Sequence, residues 1–283
     1  MFLDLLKDAF MDCLSLLPFL FLTYLALEIL EHKMADKTQR WIARAGKLGP
    51  FYGGLLGMIP QCGFSAAASN LYAGRIITVG TLVAVFLSTS DEMLPIFLSQ
   101  QVAAGRIVKI LLLKAALGIA WGFLLDLVWR RRTALNQGSI QALCQKEHCQ
   151  CETGIFRGAI SHTLNVWVFI FLISLALGAA LELGGQQLLS KLFLGTPGLG
   201  VVLAGLVGLI PNCGASVVLT QLFLDGLLSF GAMMAGLLVG AGVGLLVLFR
   251  VNRNAKENLQ IVGILYMMGI ITGFILQWTG LTV

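Results

Sequence analysis

Charge is scarce in this 283-residue chain. Asp, Glu, Lys and Arg together supply 12% of residues, against 58% hydrophobic, and mean hydropathy is +0.89. That balance excludes a soluble globular domain. No G-x-x-x-x-G-K-(S/T) signature is present, so nucleotide hydrolysis by this chain is not indicated. No Pro/Ser-rich linker occurs either, and the one long polar stretch is 130–157. The first apolar run lacks a small-residue cleavage site and carries Glu28 and Glu31, which argues against a signal peptide. Histidine is nearly absent: beside the hydrophobic segments there are only His32 and His162. An intramembrane cysteine nucleophile would need a general base within reach, so an enzyme is not expected. The net charge of +5 comes mostly from basic residues between the apolar runs. It reads as membrane orientation, not nucleic-acid binding.

What the chain does have is apolar runs of spanning length. Eight are read, over roughly 13–31, 50–73, 77–98, 107–129, 160–183, 197–224, 227–249 and 258–279. Lipid leaves open backbone groups without partners, so these segments are expected to be helices. The chain divides into a membrane repeat over 1–129, a linker over 130–157 and a second membrane repeat over 158–283.

The division rests on an internal duplication. Gly57-Met58-Ile59-Pro60-Gln61-Cys62-Gly63-Phe64-Ser65 recurs as Gly208-Leu209-Ile210-Pro211-Asn212-Cys213-Gly214-Ala215-Ser216, an offset of 151 residues. Leu30-Glu31 against Leu181-Glu182, and Gly80 against Gly231, keep the same register. Pro60 and Pro211 remove a backbone donor, while Gly63 and Gly214 permit a tight turn. A duplicated break of this kind inside apolar segments is the mark of a transporter whose broken helices meet near the bilayer midplane.

Basic residues orient the segments. Lys33, Lys37, Arg40, Arg44 and Lys47 crowd the first loop; Arg130, Arg131, Arg132, Lys146 and Arg157 lie in the central one; Arg250, Arg253 and Lys256 follow the seventh segment. All three loops belong on the cytoplasmic side. Eight simple crossings cannot achieve this. It works if 50–73 and 197–224 are re-entrant, each entering as a short helix, breaking, and leaving on the side it came from. The expected fold is therefore an all-α integral membrane protein of two inverted repeats. Each repeat has three spanning helices plus one re-entrant broken-helix hairpin, and both termini lie outside. Arg106 and Lys109 then face outside, against the charge rule. The competing reading is a pair of Pro-kinked spanning helices.

At the breaks, Gln61 and Asn212 offer amide oxygens, Ser65 and Ser216 hydroxyls, and Cys62 and Cys213 polarizable sulfur. A second feature is Ser88-Thr89-Ser90-Asp91-Glu92-Met93-Leu94-Pro95 within the apolar run 77–98. Carboxylates at membrane depth usually face a wet cavity and mark ion pathways; alternatively Asp91 and Glu92 simply begin an external loop. The matching stretch, Val239-Gly240-Ala241-Gly242-Val243-Gly244, is uncharged and permits close backbone approach. Oxygen donors suit Mn²⁺, Mg²⁺ or Ca²⁺, and the sulfur of Met93 and the two Cys shifts the preference toward softer metals.

Cys144, His148, Cys149 and Cys151 gather in the linker as a possible metal contact, with a spacing that matches no standard zinc knuckle. His162 and Asn165 share a helix face. Asp4, Asp8 and Asp12 line one side of the first helix as a solvated face or an acidic mouth.

The stretches Ile59-Pro60-Gln61-Cys62-Gly63-Phe64-Ser65-Ala66-Ala67-Ala68-Ser69, Phe86-Leu87-Ser88-Thr89-Ser90-Asp91-Glu92-Met93-Leu94-Pro95 and Ile210-Pro211-Asn212-Cys213-Gly214-Ala215-Ser216 resemble the ten-helix (10TM) heavy-metal exporters. Members carry labels of arsenic efflux protein or manganese transporter. The resemblance covers nearly the whole chain and implies an inner-membrane exporter. Counting each hairpin as two short helices also gives ten. Gln61, Cys62, Ser90, Asp91, Glu92, Asn212 and Cys213 carry over as candidate metal or substrate residues, with Pro60, Gly63, Pro211 and Gly214 as the breaks. The expected activity is export of a divalent metal, manganese first, by alternating access. Energy would come from an ion gradient, with proton counter-transport through Asp91 or Glu92 as one route. Arsenite or organoarsenical export through Cys62 and Cys213, and a metal channel, are the alternatives. The expected partners are the bilayer and the transported ion; no resident cofactor is expected.

Overall fold

In the computed structural model the described residues are 48–59, 62–90, 93–129, 197–211 and 213–280, with scattered helical positions between 10 and 25 and between 160 and 175. The continuous stretches form ten helices. They are α1 Gly49–Gly57, α2 Cys62–Ala73, α3 Val79–Ser88, α4 Met93–Ser99, α5 Ala104–Trp129, α6 Pro197–Gly208, α7 Cys213–Leu224, α8 Phe230–Val239, α9 Val243–Val251 and α10 Ala255–Trp278. No strand occurs among the described residues. The linker 130–157, with its Cys/His cluster, lies outside them.

Helix starts and stops follow local chemistry. Pro50 sits in the first turn of α1, where its missing N–H costs nothing. Thr78 caps α3 by accepting from the Thr81 N–H at 3.1 Å, and Ser229 caps α8 by accepting from the Ala232 N–H at 3.2 Å. Each such cap is worth about 1 kcal/mol. At the far end of α3, Ser88 and Thr89 turn their hydroxyls back on the Ala84 and Val85 carbonyls at 2.7 Å. Hydroxyls that compete in this way weaken continuation of the helix. Helix α8 stops at Gly240, which leaves the helical path at ψ 83°, and before α9 Gly242 takes φ 52°, ψ −136°, a conformation essentially closed to residues with a Cβ.

The segments 50–73 and 197–224 are thus each broken at the Pro-amide-Cys-Gly motif, as the motif predicts. The segment 77–98 is broken too: its first helix ends at Ser88, and helix resumes at Met93. The sequence reading gave 227–249 only close backbone approach, yet it is interrupted too, at 240–242, where glycine alone does the breaking.

Two helices are long enough to cross a bilayer unbroken. Helices α5 and α10 have 26 and 24 residues, or about 39 and 36 Å at the α-helical rise, against roughly 30 Å of hydrocarbon. Interrupted α8–α9 (Phe230–Val251) also spans by length and composition. Leu112, Leu127 and Val128 on α5, and Leu259 and Met267 on α10, are exposed apolar residues. Such outward faces suit lipid.

Helix directions come from close approaches. A Cβ on Gly49 would lie 2.2 Å from Thr81 Oγ1 and one on Gly57 2.1 Å from Ser88 Oγ, so α1 runs parallel to α3. A Cβ on Gly80 would lie 2.3 Å from the Gly122 carbonyl oxygen, and Gly118 abuts Ala84 and Ser88, so α5 runs antiparallel to α3. The second half repeats this arrangement at the same offset of 151: α6 lies parallel to α8, and a Cβ on Gly231 would lie 2.5 Å from the Gly273 carbonyl oxygen. Between the halves the packing is exchanged: α2 lies on α9, α7 on α4, and α3 touches α8. The Trp121 Nε1–H donates to Thr272 Oγ1 at 2.9 Å, joining α5 to α10 at positions also 151 apart. Phe10, just before the first segment, meets Trp167 of the fifth edge-on at 5.9 Å, and Phe21, Leu25, Trp167 and Phe171 pack over Ala66, Val243 and Val247.

Candidate functional site

Four helix interruptions come together. The end of α1 abuts the end of α3, through Gly57 against Ser88 and the Val85 carbonyl. The end of α6 abuts the end of α8, where a Cβ on Gly208 would lie 2.2 Å from the Gly236 carbonyl oxygen. The two pairs are linked by Lys114, whose ammonium donates to the Thr89 carbonyl and, at 3.0 Å, to the Leu237 carbonyl. On the neighbouring side Ser69 Oγ lies 2.9 Å from the Ser65 carbonyl oxygen and 2.7 Å from that of Gly244, tying α2 to α9.

The surroundings are polar for so deep a place. Ser65, Ser69, Asn70, Ser88, Thr89, Ser90, Lys114 and Thr220 are all buried. Buried hydroxyls and carbonyls need partners, and several find them within one helical turn. Ser90 Oγ donates to the Ser88 carbonyl at 3.1 Å, and Thr220 Oγ1 to the Ser216 carbonyl at 2.7 Å.

Of the residues predicted from sequence, Ser90 lies at this convergence. Cys62 and Cys213 are the first residues of α2 and α7, matching positions in the two halves, with Gly63 and Gly214 next in each first turn. Pro211 is partly buried in the turn before α7. Pro60, Gln61, Asp91, Glu92 and Asn212 lie outside the described residues, as do Cys144, His148, Cys149 and Cys151. Among the described residues no group of three or more His, Cys, Asp or Glu comes together.

Sequence reasoning missed Lys114. The signal was available, because a lysine inside the apolar run 107–129 is as costly as the Asp91-Glu92 pair. It also missed a polar cluster away from the breaks. Arg75 Nη2 donates to Glu257 Oε2 at 2.7 Å, Tyr72 also bonds Glu257, and Asn252 Nδ2 donates to Asn258 Oδ1 at 2.7 Å. The Glu257 carboxylate holds the Arg75 guanidinium above its ordinary range. No pattern in the sequence pairs positions 75 and 257. Arg75 takes φ 59°, a left-handed conformation in the turn after α2.

An all-helical fold with long apolar helices, lipid-suited faces and broken helices meeting at buried polar groups defines a multi-pass membrane protein. Its family follows from sequence comparison: residues 1–193 and 183–282 match the family model described as "Putative, 10TM heavy-metal exporter", and the chain belongs to that family. No curated protein and no solved structure matches it.

Proposed function

We propose that the chain exports a divalent heavy metal, with manganese as preferred substrate, by alternating access between two inverted repeats of the cytoplasmic membrane. The convergence of four helix interruptions on buried hydroxyl and carbonyl oxygens carries this reading. Oxygen-rich donors favour Mn²⁺ over soft ions, and discontinuous helices are the usual place for ion sites in such carriers. Ser90, Asp91 and Glu92 supply oxygen donors from the first half; Gln61, Cys62, Asn212 and Cys213 complete the set at the two motifs. The direction, outward, comes from the family.

Helix directions support re-entrant hairpins. Helix α1 runs parallel to α3, so the chain returns through α2 before entering again; a single crossing by α1 and α2 would leave α1 antiparallel. Inversion of the halves is supported by one face of the molecule. Thr78 Oγ1 donates to Asp126, near the end of α5, at 2.8 Å, and Arg75 reaches Glu257 in the first turn of α10. Helix α10 therefore starts on the face where α5 ends, although the two are equivalent in the repeat.

The test is metal uptake into proteoliposomes, comparing Mn²⁺, Zn²⁺, Cd²⁺ and arsenite, with wild type beside Asp91→Asn. The expected outcome is Mn²⁺ flux that falls at least about tenfold in the variant, the loss of roughly 1.4 kcal/mol of transition-state stabilisation. Undiminished flux in Asp91→Asn overturns the carboxylate site. A second reading, arsenite export, draws on the matched placement of Cys62 and Cys213 at the starts of α2 and α7. Arsenite flux indifferent to Asp91 and abolished by Cys62→Ser with Cys213→Ser would establish it.

A further inference from the structure

Lys114 lies within the 26-residue helix α5 and is only 1% exposed. Two of its acceptors, the Thr89 and Leu237 carbonyls, are ones that helix interruption sets free. Thr89 follows the last residue of α3, where the chain leaves the helical path, so no residue four positions on returns an N–H to its oxygen. Leu237 would ordinarily accept from the Ala241 N–H, but that group instead bonds the Val239 carbonyl at 2.8 Å. One acceptor belongs to the first half and the other to the second. The equivalent of Lys114 at the offset of 151 is Leu265, so the ammonium is a feature of one half only.

Carbonyls at the C-terminal ends of interrupted helices carry partial negative charge and coordinate small cations in carriers with broken helices. Here the groups that would hold such an ion hold an ammonium on a four-carbon stem. We infer that the Thr89 and Leu237 carbonyls form a monovalent-cation subsite that Lys114 fills as a tethered ion, in place of a dissociable coupling cation. The subsite joins the two halves at the site proposed above, and its functional meaning rests on that reading. A transport cycle built this way does not require external Na⁺, because the positive charge never leaves the chain.

The test uses full-length protein purified in detergent, as wild type, Lys114→Ala and Lys114→Gln. Thermal unfolding is followed in choline chloride and on titration with Na⁺, K⁺ or methylammonium at constant ionic strength. Removing the side chain should lower the midpoint and create a vacancy. At least one small cation should then raise the Lys114→Ala midpoint saturably, by roughly 3 °C or more, with no comparable rise for wild type. Equal responses in Lys114→Ala and wild type overturn the inference. Should Lys114→Ala not accumulate, Lys114→Gln decides: its amide has two donors for the two carbonyls but no charge. The subsite predicts that Lys114→Gln folds yet loses metal flux at least tenfold, whereas wild-type flux, or failure to accumulate, counts against it. Wild type that moves no heavy metal would sink the proposed function while leaving the cation titration of Lys114→Ala readable.

Discussion

Gly80 and Gly122 bring α3 and α5 so close that a Cβ at either would enter the other's backbone: it would lie 2.3 Å from the Gly122 carbonyl oxygen or 2.6 Å from that of Gly80. Gly231 and Gly273 repeat the arrangement between α8 and α10. Small residues at such crossings replace the hydrophobic drive that is missing between helices in lipid. Gly80→Ala and Gly231→Ala should each cost about 1–3 kcal/mol through overpacking, read as a lower unfolding midpoint in detergent. Gly105→Ala on α5 and Gly263→Ala on α10 meet open space and should lose nothing. The Gly80–Gly231 and Gly122–Gly273 matches are both visible in the aligned repeat, but the facing of Gly122 on Gly80 is not, because it depends on how helices far apart in sequence pack. Lys114 was legible as an anomaly in an apolar run. Its acceptors were not, since a free carbonyl appears only once the neighbouring helix is seen to stop.

Among elements, the breaks at the two Pro-amide-Cys-Gly motifs were legible because proline and glycine act locally. The break at 240–242 was harder to read: Gly240 and Gly242 stand in a glycine-rich run that suits close packing equally well, and only the positive φ of Gly242 separates the two outcomes. The turn after α2 supplies a direct check on sidedness. Arg75 and Glu257 form an ion pair, so the turn and the start of α10 share a face. In a background free of native cysteine, Arg75→Cys and Asn254→Cys should be labelled by an impermeant maleimide from the same side of the membrane, the cytoplasmic one. Labelling from opposite sides would restore the Pro-kinked spanning helices and remove the re-entrant reading.

At the scale of the molecule, the exchange between halves matters more than either half. Helix α2 of the first half packs on α9 of the second, and α7 of the second on α4 of the first. Lys114 bonds a carbonyl of the other half, and Ser69 lies within hydrogen-bonding distance of another. The polar groups along these contacts would face lipid in an isolated half, where each unsatisfied group costs several kcal/mol. Each half should therefore depend on the other, although the covalent connection through 130–157 should not be essential. Residues 1–145 and 146–283 expressed separately are expected to be degraded; expressed together they should co-purify and restore metal flux. A half that accumulates alone and unfolds cooperatively would mean that the exchanged contacts are incidental and that the repeat is a self-sufficient unit. Dependence in both directions would instead make the shared interface, with the four interruptions and Lys114 within it, the structural unit of the fold, and so the surface on which the proposed alternation of access has to act.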